Sequence, residues 1–86
     1  MIGISVQVSL YPLNQKELKT SIEKALRIFI ENKLNVTPGP MSTIISGDED
    51  KIFTALKEVF HNAASDGQVV MVATFSNACP VQWSSS

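Results

Sequence analysis

The amino-acid sequence predicts a small α+β domain of the ferredoxin-like, βαββαβ kind. Its four-stranded antiparallel sheet would run in the order 4-1-3-2, with two helices on one face. Three observations predict this. The chain opens on a strict two-residue alternation, two later stretches repeat at helical spacing, and β-type runs separate and close them. Right-handed crossovers in both βαβ units place the two helices on the same side of the sheet.

In the first element, Ile2, Ile4, Val6, Val8 and Leu10 alternate with Gly3, Ser5, Gln7, Ser9 and Tyr11. Alternate residues of a strand face opposite ways, so residues 2–11 form a strand with one apolar and one polar face, ended by Pro12. Asn14 can cap the following helix, with Glu17 as its reciprocal partner. Leu18, Ile22, Ala25, Leu26, Phe29 and Ile30 then line one side of a helix over 15–33, and Lys33 suits its negative end. Residues 35–37 suit a short strand. Pro38, Gly39 and Pro40 turn the chain, and Met41 to Ser46 form the third strand, stopped by Gly47. Asp48 caps the second helix, whose apolar stripe is Ile52, Phe53, Leu56, Val59, Phe60 and Ala63. After the turn Ser65-Asp66-Gly67, the valine-rich run Gln68 to Ser76 is the fourth strand. Either parity suits this run; the favoured one sets Met71, Ala73 and Phe75 under the helices and leaves Val70, Val72 and Thr74 on the open face.

With 86 residues there is material for one domain, taken as residues 1–80 with a tail over 81–86. Net charge is −1, and the seven basic residues all fall on the expected helices, which argues against nucleic acid as a partner. Charged residues make up only 17%, which suits a domain that covers part of its surface by self-association. Cys79 is the sole cysteine, so no internal disulfide or paired-cysteine site can form, as suits a reducing compartment. The first residues lack a basic leader pattern, and no apolar run is long enough to span a bilayer. The expectation is a cytoplasmic protein with no membrane partner.

Fold alone does not fix function, so the side chains must. Strand three lacks the exposed aromatics that stack bases in RNA-recognition modules. The cysteines of a metal carrier are missing, and the only arginine, Arg27, lies mid-helix rather than at an anion-holding loop. His61, the one histidine, reads as a surface residue of helix two, and Cys79 as a small boundary residue with no base beside it. Glu17, Glu23 and Glu58 read as solvated faces. Trp83 suits packing on a neighbour or covering a ligand. No catalytic residue, metal site or cofactor is expected.

Four segments carry a resemblance to a known family. They are Ser9-Leu10-Tyr11-Pro12, Met41-Ser42-Thr43-Ile44, Ile52-Phe53 with Ala63-Ala64, and Val70-Met71 through Thr74-Phe75-Ser76 to Cys79-Pro80. In order and spacing over residues 3–80 they resemble the YkoF-like thiamin-binding family and its single-domain relatives. The resemblance implies a ferredoxin-like fold, non-covalent binding of thiamin or its hydroxymethylpyrimidine part, assembly through sheet faces as a homodimer or homotetramer, and no catalysis. A role in vitamin uptake, salvage or sensing would follow. In a 4-1-3-2 sheet the end of strand one meets the start of strand three, bringing Ser9 and Tyr11 near Ser42 and Thr43. Their hydroxyls can donate and accept hydrogen bonds, which suits an aminopyrimidine. Thr74 and Ser76 on strand four complete the candidate ligand-binding set. Which of Ser42 and Thr43 faces the ligand is open, because Ile44 and Ile45 compete for the helix side. The competing reading is an oligomeric structural or regulatory module whose sheet face binds only protein.

Overall fold

The structure, a computed structural model, describes residues 3–13, 18–40 and 42–78. Its elements are β1 (Gly3–Leu13), α1 (Leu18–Glu31), β2 (Asn35–Pro38), β3 (Thr43–Asp48), α2 (Glu49–Ala64) and β4 (Gln68–Ser76). Asn14, Glu17, Met41, Cys79, Pro80, Trp83 and the expected tail lie outside the described residues.

The strands form one antiparallel sheet ordered β2-β3-β1-β4, the expected order read from the other edge. β1 is central, and its alternation decides which side is buried. Ile4, Val6 and Val8 point into the core with Ile45 of β3, while Met71 and Ala73 of β4 pack against that core. Phe29 of α1 and Ile52 and Val59 of α2 close it from above. Each such side chain removed from water contributes about 1.5–3 kcal/mol.

Several boundaries differ from expectation for local physical reasons. Pro12 does not end β1, which continues to Leu13 and pairs Pro12 with Val69. Its β3 pairing stops at Val8–Thr43, so near Pro12 only β4 pairs with β1 among the described residues, and a proline is tolerated where one side of a strand is unpaired. β3 runs through Gly47 to Asp48. Gly47 has φ of +154°, and a Cβ there would lie 2.8 Å from Leu34 Cδ2. α1 stops at Glu31 and Lys33 lies beyond it with φ of +61°. The Leu34 amide donates to the Phe29 carbonyl and the Lys33 amide to the Ile30 carbonyl, closing the helix in a Schellman arrangement that buries Leu34. Asp48 caps α2 as expected, its carboxylate accepting from the Lys51 amide at 3.3 Å.

The helices are rotated relative to the expected stripes. α1 buries Ser21, Ala25, Ile28 and Phe29, leaving Ile22 and Ile30 exposed. α2 buries Ile52, Ala55, Leu56, Val59 and Ala63, leaving Phe53 and Phe60 exposed. Phe53 instead stacks on Phe75 of β4, with ring centroids 5.1 Å apart. No helix among the described residues is long and apolar enough to cross a membrane.

Candidate functional site

The register fixes which side chains share a face. Val6 pairs with Ile45 and Gln7 with Ile44, so Ile45 goes to the helices and Ile44 to the open face. By the same alternation Thr43, opposite Val8, is on the helix side, and Ser42 follows Ile44 onto the open face. The Gln7 amide donates to Ser42 Oγ at 3.3 Å, a contact that requires both on that face.

Read across the sheet, the open face is graded. Ser5 lies between Ser46 of β3 and Ser76 of β4. Gln7 lies between Ile44 and Thr74, Ser9 lies beside Val72, and Tyr11 lies beside Val70. One end is therefore rich in hydroxyls. The other shows exposed Tyr11, Leu13, Val70 and Val72. At the hydroxyl end, Ser5 is fully buried and its Oγ has no hydrogen-bond partner among the described residues. Ser76 Oγ accepts from the Ala78 amide at 3.0 Å.

Five of the six candidate ligand residues thus share the open face: Ser9, Tyr11, Ser42, Thr74 and Ser76. Thr43 does not. It lines a cavity of about 100 Å³ between the sheet and α1. Val8 and Leu10 of β1 form the cavity floor, and Ala25, Leu26 and Phe29 of α1 form a wall. Gly39, Pro40, Ser42 and Thr43 contribute the β2–β3 side. Among the described residues no charged side chain lines it. Ser42 belongs to both surroundings, touching Gln7 on the open face and lining the cavity.

This cavity was not legible in the sequence, because it is enclosed only when α1, β1 and the β2–β3 turn come together. The one signal was the turn Pro38-Gly39-Pro40, in which the Gly39 amide donates to the Ser42 carbonyl at 2.8 Å and holds Ser42 at the edge of the sheet. His61 is exposed on α2. No cluster of three or more metal-ligating side chains occurs among the described residues.

Comparisons with known proteins agree with this architecture. The family pattern described as YKOF-related Family matches residues 3–82. A protein of Bacillus subtilis (strain 168), named as a candidate HMP/thiamine-binding protein, YkoF, is 34% identical over 73 residues, which is 84% of this chain. The chain spans only 36% of that relative's length. Among solved structures, hypothetical protein MJ1052 from Methanocaldococcus jannascii shares 28% identity with a TM-score of 0.82, covering 88% of this chain and 80% of that one. A Thermotoga maritima protein, described as a candidate thiamine biosynthesis or salvage protein, has the same fold at 17% identity. Its TM-score is 0.76 over 86% of this chain and 82% of its own.

Proposed function

The chain belongs to the YKOF-related family, and we propose that it binds thiamine or its hydroxymethylpyrimidine (HMP) part without transforming it. The observation that carries this reading is the cavity beside Ser42 and Thr43: concave, apolar and edged with hydroxyls. Ligand sites are commonly built this way, with apolar walls and a few placed polar groups. A flat aminopyrimidine needs a close-fitting slot and partners that both donate and accept, and hydroxyls do both. At about 100 Å³ the cavity is smaller than the roughly 150 Å³ that holds benzene, so the ring would sit only partly within it. The name carried by the Bacillus relative supports this choice of ligand.

The side chains around the cavity support binding without chemistry. A hydrolase needs a nucleophile with its base in hydrogen-bond reach. His61 is exposed on α2 and does not line the cavity. The protein acts in the cytoplasm, in uptake, salvage or sensing of the vitamin. Copies associate through the open face, where Tyr11, Leu13, Val70 and Val72 would otherwise remain in water. Sedimentation at micromolar concentration then gives a dimer or a dimer of dimers, and a 9.4 kDa monomer alone would contradict this.

Calorimetric titration with HMP and with thiamine tests the ligand. Thr43→Val keeps the shape of the cavity and removes one hydrogen-bond partner. It should cost about 1–3 kcal/mol, or roughly five- to 150-fold in affinity. Leu26→Trp fills the cavity and should abolish binding. Failure of the unaltered protein to bind either compound, or unchanged affinity in both variants, would refute the reading. Thiamine and its phosphates should be recovered unchanged after incubation. Product formation that disappears in His61→Ala would overturn the non-catalytic assignment.

A further inference from the structure

We propose that Ile22 of α1 is a ligand-contacting residue: with Pro40 it forms the mouth of the cavity and packs on the part of the ring that the cavity cannot enclose. The proposal rests on the reading of this cavity as the HMP site. The lining residues differ in depth. Val8, Ala25, Phe29 and Val59 are buried and make the closed end. Ile22, Gly39 and Pro40 also line the cavity and are exposed, so its opening lies between α1 and the β2–β3 turn. Along one flank of α1 the exposure falls in steps. Ile22 is 43% exposed, Leu26 is half-buried and Phe29 is buried. Residues four apart share a helix face, so Ile22 stands one turn from Leu26 on the side of the opening.

A single exposed isoleucine is ordinary on a protein surface. Ile30 is one, 62% exposed on the same helix and not lining the cavity. Ile22 differs because it borders a space too small for a whole ring. A ring entering there leaves part of its surface outside, and the groups flanking that part are Ile22 and Pro40. Both are apolar and both are stiff. Pro40 belongs to a tight turn, in which the Gly39 amide donates to the Ser42 carbonyl at 2.8 Å and a Cβ on Gly39 would lie 2.9 Å from that oxygen. Ile22 is β-branched within a helix, which confines it to one main rotamer. Neither side of the mouth therefore loses much freedom when a ligand arrives, so most of the apolar gain is retained as affinity. The free protein draws no such gain, because there this surface of Ile22 lies in water.

Calorimetric titration with HMP of the unaltered protein, Ile22→Ala and Ile30→Ala tests this, with melting of each free protein measured beside it. Ile22→Ala should bind HMP about five- to tenfold more weakly. Truncation removes three carbons, the ligand covers roughly the exposed half, and each carbon so covered is worth about fourfold. Ile30→Ala should bind as the parent does. Both variants should melt within about 4 °C of the parent, since exposed positions contribute little and alanine suits a helix. Ile22→Leu restores the apolar bulk and should recover affinity to within about threefold of the parent. Absence of HMP binding by the unaltered protein would overturn the ligand reading and the mouth contact together. With a parent that binds, unchanged affinity in Ile22→Ala or an equal loss in Ile30→Ala would overturn the mouth contact alone.

Discussion

Ile45→Ala and Ile44→Ala are adjacent substitutions of the same chemistry, and the structure assigns them opposite consequences. Ile45 is fully buried, between Val6 of β1 and Val36 of β2 and beneath the helices. Replacing it with alanine removes three carbons from the core. At about 0.8 kcal/mol per buried carbon the transfer cost is about 2.4 kcal/mol, and the cavity left behind brings the total to about 3–5 kcal/mol. Ile44 is half-buried on the open face between Thr37 and Gln7, and its replacement should cost about 1 kcal/mol or less. In a domain of this size each kcal/mol moves the melting temperature by about 4–8 °C. Ile45→Ala should therefore melt at least about 12 °C below the parent, and Ile44→Ala within several degrees of it. Urea unfolding followed by far-ultraviolet circular dichroism at sub-micromolar protein gives the two free energies side by side. If Ile44→Ala costs as much as Ile45→Ala or more, the parity of β3 is reversed. Thr43 would then leave the cavity for the open face, and the proposed ligand site would fall with it.

Two further substitutions test the local packing. Ser5→Ala removes a buried hydroxyl that has no hydrogen-bond partner among the described residues, so it should raise stability by about 1 kcal/mol in urea unfolding. A loss of stability would show that the hydroxyl is satisfied. Gly47→Ala adds a methyl group 2.8 Å from Leu34 Cδ2 at a φ of +154°, and should cost about 1–3 kcal/mol. A neutral result would mean that Leu34 and the strand relax freely.

Much of the fold was legible because β1 alternates cleanly and β4 is a valine-rich run that follows a turn. The period of two gave the buried set Ile4, Val6 and Val8, and the limits of β4 at Gln68 and Ser76 coincide with the observed strand. The helices were legible in extent and less so in rotation. Ile22, Ile30, Phe53 and Phe60 are apolar and helically spaced, yet exposed, while Ser21, Ile28 and Ala55 are buried. Periodicity defines a stripe wider than the face that packing selects, and small residues such as Ala55 are chosen by close approach of neighbouring elements rather than by hydrophobicity. Pro12 misled because a proline reads as a strand end unless the missing partner strand on one side is known. The site was half legible. Ser9 goes to the open face by the alternation of β1 alone, while Thr74 is placed there by its pairing with Gln7. Thr43 separates from Ser42 only through the competition between Ile44 and Ile45, which pairing with β1 and β2 decides.

The central claim is that the HMP ring enters the cavity between α1 and the ends of β1 and β3. Titration of the 15N-labelled protein with HMP, followed by two-dimensional amide spectra, tests it at residue resolution. The account predicts saturable shifts concentrated at Val8, Ala25, Leu26, Gly39, Ser42 and Thr43, which line the cavity, with Val70, Val72 and Thr74 little changed. Shifts confined to Val70, Val72 and Thr74, or no saturable shift with either HMP or thiamine, would contradict it.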